Sequence, residues 1–205
     1  MATPAQMAQL SQLLGQTVGG NTEAMKAGEQ QLRQAEIQPG FGLMLLELLR
    51  SASVDPTTRQ AGAIFFKNYI IRQWTVQGAG GGITAPDRQA IKQHLLSLML
   101  QAPKQVQVQL ARGLEEISIT DYPAEWQSLL PEMVQHLKTS QDMSVLKGTM
   151  ETAHTVFLKF RSQARSDDLL REIKYTVEGF QETHLAVFTA ACQRVLGGSL
   201  PADQP

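Results

Sequence analysis

The segment Arg59-Gln60-Ala61-Gly62-Ala63-Ile64-Phe65-Phe66-Lys67-Asn68-Tyr69-Ile70-Ile71-Arg72-Gln73-Trp74 decides the fold. Its row Ala61, Ile64, Phe65, Asn68 and Ile71 recurs at three- and four-residue spacing and so lies along one face of an α-helix. Phe66, Tyr69, Ile70 and Trp74 point elsewhere on that helix. A helix apolar nearly all round must be covered on several sides. A four-helix bundle wants one clean stripe, whereas the inner helix of a solenoid is gripped by its own partner and by both neighbouring repeats. The segment therefore predicts a helical-repeat array.

The flanking chain reads the same way. Upstream, an apolar patch around Ser11–Leu14 ends at Gly19-Gly20, and Asn21 caps a helix running to about Ile37, where Gln38-Pro39-Gly40 breaks it. Phe41 to Ala52 follows, then Asp55-Pro56 as cap and first turn of the deciding helix, which runs to Trp74. Downstream, Pro86-Asp87 opens a helix to Gln101-Ala102, and Pro103 opens another that stops at Asp121-Tyr122-Pro123. Glu125–Lys138, Asp142–Arg161 and a long stretch from a cap at Ser166 or Asp167, with a break expected near Thr183, complete the set. Gly197-Gly198 ends it. Only Gln105–Leu110 alternates like a strand, and Pro103 before it reads equally well as a helix start. Helix pairs thus recur about every 40–50 residues, the period of HEAT and armadillo arrays. The expected fold is all-α, a right-handed α–α superhelix of HEAT/armadillo-like type with about five helix pairs.

Composition narrows the function. The 205 residues are 42% hydrophobic and 18% charged, ordinary for a folded domain. The longest apolar stretch, Phe41–Leu49, contains Glu47 and falls far short of the roughly 20 residues that cross a bilayer. Met1-Ala2-Thr3-Pro4 lacks the basic and apolar regions of a secretory signal. The single cysteine, Cys192, cannot form an internal disulfide, which suits a reducing compartment. A net charge of −1 with scattered basic residues argues against nucleic acid, whose phosphates demand a basic patch. Proteins are the expected partners.

No constellation for chemistry stands out. His94, His136, His154 and His184 have neither a histidine four residues away nor a nearby cysteine, so no metal is expected. The glycine-rich stretch Gly78–Gly82 lacks the Lys-Ser or Lys-Thr and the preceding strand of a phosphate cradle, and it reads as a flexible loop. Glu115 and Glu116 are adjacent on a helix and point about 100 degrees apart, so they cannot flank one substrate. Cys192 reads as a small buried hydrophobe. Trp74 and Trp126 read as packing residues, Asp121 as a helix-end acid that satisfies free amides of the next helix, and Asn68 as a buried, hydrogen-bonded amide. No catalytic residue and no cofactor are predicted.

Specific segments go further. Arg59-Gln60-Ala61 followed by Phe66-Lys67-Asn68-Tyr69-Ile70 and Trp74 resembles the second repeat of the importin-β-like receptors, which share an N-terminal Ran-binding module. Asp87-Arg88-Gln89-Ala90-Ile91-Lys92 leads into Leu98-Met99-Leu100. Asp121-Tyr122-Pro123 precedes Trp126 and Leu129-Leu130-Pro131-Glu132-Met133-Val134. Thr152-Ala153-His154-Thr155-Val156-Phe157 precedes Glu172-Ile173-Lys174. In that order these resemble the CAS-type exportins of the same family, from about residue 10 to about 195. The Gly78–Gly82 loop departs from the pattern as an insertion.

The resemblance implies a layout and partners. Residues 1–196 would form an importin-β-like N-terminal HEAT array whose first repeats, about 5–75, include the Ran-binding module, and 197–205 a disordered tail. Ran in its GTP form would bind the second helices: Gln30 and Arg33 in the first repeat, Lys67, Asn68 and Arg72 in the second, Gln109, Arg112 and Glu116 in the third. Importin-α would be the cargo of the whole receptor, FG nucleoporins a further class of partner, and shuttling between nucleus and cytoplasm the setting. Another importin-type receptor, or a helical scaffold without Ran binding, remains an alternative at this point. Such receptors have many more helix pairs, so the chain is expected to be a piece of a longer one, with its last helix exposing some of Val187, Phe188, Val195 and Leu196 and associating through them.

Overall fold

A computed structural model describes residues 3–76 and 82–197. Among them the chain is helical, with no strand: α1 (Pro4–Thr17), α2 (Thr22–Ala35), α3 (Phe41–Arg50), α4 (Pro56–Gln73), α5 (Ala85–Gln101), α6 (Lys104–Asp121), α7 (Leu129–Thr139), α8 (Met143–Leu158), a 3₁₀ turn at Lys159–Arg161, and α9 (Asp167–Leu196). Two compact units divide at Tyr122 and Pro123. In the first, α1–α2, α3–α4 and α5–α6 are hairpins. In the second, α7 packs against both α8 and α9.

Local chemistry sets the helix ends. Thr3 and Gln6 form a reciprocal capping box at α1, and the Asn21 side chain accepts from the amides of Glu23 and Ala24. Asp55 caps α4 through the Thr58 amide at 2.9 Å, with Pro56 filling the first helical position. Thr84, Asp142 and Ser166 do the same for α5, α8 and α9. Gly40 (φ 81°) starts α3 in the left-handed region, and its N–H donates to Asp87 Oδ2 at 2.9 Å, tying that turn to α5.

The core of the first unit is built around α4. Phe66, Tyr69, Ile70 and Trp74 are buried, as are Leu14, Leu45, Leu48, Ile91, Leu95 and Leu110 from neighbouring helices. At Gly62 an added Cβ would lie 3.3 Å from Leu14 and Leu49, so the missing side chain lets α4 approach α1 and α3. At Gly113 the gap admits the Phe66 ring, 3.3 Å away, and brings α6 against α4. The helix is thus gripped from several sides, as its composition requires.

The orientation within α4 differs from the sequence reading. Ile64 and Ile71 are exposed and Phe65 and Asn68 half-buried, so the row read first is the outer stripe and not the core one. Both sets have helical spacing, and spacing alone does not choose between them; Gly62 and Ala63, which permit close approach, mark the buried side. Three other boundaries move. α7 begins at Leu129 and not at Glu125, because residues after Pro123 form a turn that buries Trp126. α8 ends at Leu158, with Lys159–Arg161 as a 3₁₀ turn. α9 has no break at Thr183, which is buried in an unbroken helix of 30 residues. The described residues therefore hold four hairpins and one long helix, where about five pairs were expected. Cys192 is half-buried, less enclosed than expected. Residues 78–81 of the glycine-rich loop and 198–205 of the tail lie outside the described residues.

Candidate protein-binding surface

α4 and α6, the second helices of their hairpins, lie side by side with Phe66 and Ile70 against Gly113. The helical repeat then places Ile64, Lys67 and Ile71 on the outer side of α4 and Val108, Arg112, Glu115 and Ile119 on the outer side of α6. Turning from the shared contact toward these residues runs in opposite senses on the two helices, so both stripes face the same way. The sequence reading placed Lys67, Asn68, Gln109, Arg112 and Glu116 on these two helices, and the structure brings them to one region. Lys67, Asn68, Gln109 and Glu116 are half-buried and Arg112 is exposed.

Gln30 and Arg33 are exposed on α2. It is α1 that packs along α4, and α2 joins α4 through Glu36 at its C-cap. The Glu36 carboxylate is only 3% exposed. It accepts from Arg72 Nη2 at 2.5 Å, from Arg72 Nε at 3.4 Å and from Gln73 Nε2 at 3.1 Å. The Arg72 guanidinium also lies 5.5 Å from the centre of the Phe65 ring. Arg72, read as a partner anchor, is thus committed to an internal contact, with Arg33 more loosely placed at 3.9 Å from the same acid.

Asp121 has a similar role and not the capping role expected of it. Its Oδ1 accepts from Trp74 Nε1 at 3.1 Å and its Oδ2 from Lys92 Nζ at 2.9 Å. Burial pushes the Asp121 carboxyl up, but the hydrogen bonds from Lys92, Trp74 and Thr120 outweigh it and hold the group below the usual carboxylate range. Trp74 is buried, with Arg88 5.3 Å and Lys92 6.0 Å from its ring centre. On the outer face of α6, Arg112 pairs with Glu115 at 2.5 Å, and that hydrogen bond raises the guanidinium's already high value.

Sequence reasoning missed both Glu36 and the aliphatic residues of the outer stripes. Glu36 carried a signal: an acid at a helix C-terminus opposes the macrodipole, which prefers a base there. A cavity of about 590 Å³ lies between α1, α2 and α3, lined by Gln6, Gln9, Gln31, Gln34 and Gln38 over an apolar floor. Its lining offers glutamine amides and the Glu47 side chain. Among the described residues no group of three His, Cys, Asp or Glu side chains could hold a metal, and no helix is long and apolar enough to cross a membrane.

Helical hairpins stacked side by side, α1 and α6 both against α4, define a helical-repeat arrangement, a class whose extended surfaces commonly bind other proteins. Residues 28–101 match the importin-beta N-terminal domain. The chain is similar to the importin alpha re-exporter of Saccharomyces cerevisiae, 35% identical over 83% of this chain and 18% of that protein. It is similar also to exportin-2 of Drosophila melanogaster, 36% identical over 86% of this chain and 18% of that protein. The exportin Cse1 in its cargo-free, cytoplasmic state superposes with a TM-score of 0.84 at 32% identity, covering 93% of this chain and 20% of that one. Kap95p, whose binding induces the switch loops of RanGDP to adopt the GTP-bound conformation, shares the fold alone, with a TM-score of 0.60 at 15% identity over 93% of this chain and 26% of that one. The chain spans about a fifth of the length of the curated relatives it matches.

Proposed function

We propose that this chain forms the Ran-binding N-terminal part of a nuclear export receptor that carries importin-α out of the nucleus, acting by protein–protein contact and without catalysis. The observation that carries the reading is similarity to importin-α re-exporters along most of the chain, in sequence and in helical arrangement together. Residues 1–196 act as the N-terminal HEAT array. Its second helices receive Ran-GTP, with Lys67, Asn68, Gln109, Arg112 and Glu116 on the contact face and Gln30 and Arg33 beside it. The protein shuttles between nucleus and cytoplasm.

The mechanism is differential binding. Ran-GTP and importin-α favour the same arrangement of hairpins in the whole receptor, so each tightens the other, and the coupling is reciprocal. Hydrolysis of Ran's GTP in the cytoplasm withdraws one ligand and releases the other. This chain holds a fraction of that receptor, and by itself it binds Ran-GTP weakly and importin-α negligibly.

Titration with Ran loaded with GTP or with GDP tests the reading. Nucleotide-dependent binding is expected, weakened by Lys67→Ala. Equal binding of both forms removes the nucleotide-dependent mechanism, and binding of neither leaves a helical scaffold without Ran recognition.

A further inference from the structure

We propose that the last three turns of α9 are a self-association surface, on which a second copy of this chain pairs across a two-fold axis. This goes beyond the reading as a Ran receptor and uses different residues. The Tyr175 hydroxyl donates to the Gln127 carbonyl, 48 positions earlier, at 3.3 Å. An added Cβ at Gly179 would lie 2.7 Å from Leu130 Cδ2. α7 and α9 therefore run parallel in a fixed register, and Thr139, where α7 ends, is level with Val187 and Phe188. Past that level α9 continues without α7 beside it. Leu185, Phe188, Val195 and Leu196 are 64%, 60%, 61% and 87% exposed. Val187, on the side of the buried Phe180 and Thr183, is half-buried. Four large apolar side chains at one helix end form a patch that calls for a cover.

The pattern fits a second copy. Leu185, Phe188, Cys192 and Val195 recur at three- and four-residue spacing, the seam of a helix pair. From Thr183 to Leu196 the one acidic or basic residue is Arg194. It lies on the opposite side of the helix from Cys192, and its Nη1 reaches Met143 Sδ at 3.3 Å. Such a seam offers an acidic or basic partner nothing to pair with, and it sets no like charges against each other when two copies meet. An antiparallel two-fold crossing places Leu185 of one copy against Val195 of the other, and Phe188 against Cys192, so every contact is made twice. Glu178 and Glu182 precede the seam, and in that crossing they pass beyond the other copy's Leu196. At 1.5 Å per residue the seam spans roughly 15 Å. That is small beside a standard interface of roughly 800 Å² a side, which puts the dissociation constant at about 10–100 μM.

The test is sedimentation equilibrium of the unaltered chain from about 5 to about 500 μM, at about 50 mM and about 300 mM salt, where screening of exposed charges differs strongly. The expected result is a monomer–dimer equilibrium that changes less than about threefold between the two salts. Phe188→Asp should weaken it roughly tenfold or more and Val195→Ser about threefold or more, with thermal melting unchanged because both side chains are exposed. Val195→Ser, which adds no charge, keeps the test in force should the aspartate disturb the fold. Val108→Asp, an exposed aliphatic on α6, should change it less than about twofold. A monomer at every concentration overturns the pairing and leaves the surface to some other partner. Dimers that survive both α9 variants, or growth past the dimer into open chains, overturn it as well. None of these outcomes touches the Ran reading, which the nucleotide-dependent titration decides.

Discussion

Trp74 donates its indole N–H to the carboxylate of Asp121 at 3.1 Å, so the last turn of α4 and the last turn of α6 are joined by a buried side-chain bond. The other oxygen of the same carboxylate holds Lys92 from α5. One acid therefore links the second hairpin to both helices of the third. The apolar surfaces between stacked hairpins are non-directional and tolerate small sliding movements. A directional bond at the C-terminal ends of α4 and α6 fixes the register there, and with it the spacing of the outer stripes of the two helices.

Removing one member of that set exposes the cost of the others. Side-chain exposures of 8% for Lys92 and 12% for Asp121 leave little water to replace a lost partner. Asp121→Ala removes the acid that holds the Lys92 ammonium and is expected to lower unfolding free energy by about 3 kcal/mol, the lower end for breaking a buried pair. Lys92→Met, which keeps the volume, leaves the acid with Trp74 and Thr120 and should cost less. Urea denaturation of the two variants decides this, and equal small losses would remove the pair from the account of stability.

The same pair sets an acid limit. The Asp121 carboxyl titrates lower when folded than when unfolded, so its stabilisation is complete above the unfolded value of about 3.9. It is lost as pH falls through the lower folded value. Urea midpoints measured from pH 6 down to about 3 should therefore fall less steeply in Asp121→Asn than in the unaltered chain. Parallel curves would show that other carboxylates govern the acid transition.

Glu36 and Arg72 should respond unequally. The acid side chain is 3% exposed and the base 26%. Arg72→Ala leaves a buried carboxylate with Gln73 as its close donor, at an expected cost of about 3 kcal/mol, whereas Glu36→Ala leaves an arginine that can swing into water and should cost about 1 kcal/mol less. The double variant should lose less than the sum, because the two effects share one interaction. Equal single losses and strict additivity would mean that the contact seen here contributes nothing to stability.

Much of this was legible in the sequence and some was not, for identifiable reasons. Helix ends were readable where a side chain makes them: Asn21, Asp55 and Ser166 each cap the helix expected of them. The start of α7 was misplaced because Trp126 is helix-compatible by spacing, yet its burial holds the chain in a turn. The candidate face was legible as second helices, but not which side of α4 it occupies. Polar residues drew the eye to Arg72, whose fate depends on Glu36, 36 positions away in the chain. The most useful unread signal is electrostatic. Glu36 and Asp121 are acids at helix C-termini, against the dipole. Each is held by a cation from another helix, and such a misplaced acid can be sought in any sequence.

The approach of α3 to α5 tests how tightly the first unit is packed. Gly42 lies in α3, where alanine would ordinarily gain about 1 kcal/mol in helix propensity. Here an added Cβ would fall 2.7 Å from Ile91 Cδ1 and 3.2 Å from the Tyr69 ring. The isoleucine terminus can rotate away, but Tyr69 is buried with its ring edge-on to Phe41, centroids 5.5 Å apart, and has little room to yield. Overpacking of this kind costs about 1–3 kcal/mol, so Gly42→Ala should destabilise by about 1 kcal/mol after the propensity gain. Ile91→Val removes the nearer of the two clashing atoms, at about 1 kcal/mol of its own. Adding Gly42→Ala to that background should then be close to neutral, and a double-mutant cycle on thermal or urea unfolding reads the difference. Stabilisation by Gly42→Ala in the unaltered chain would show that α3 and α5 have slack between them, and that the glycine is not what brings them together.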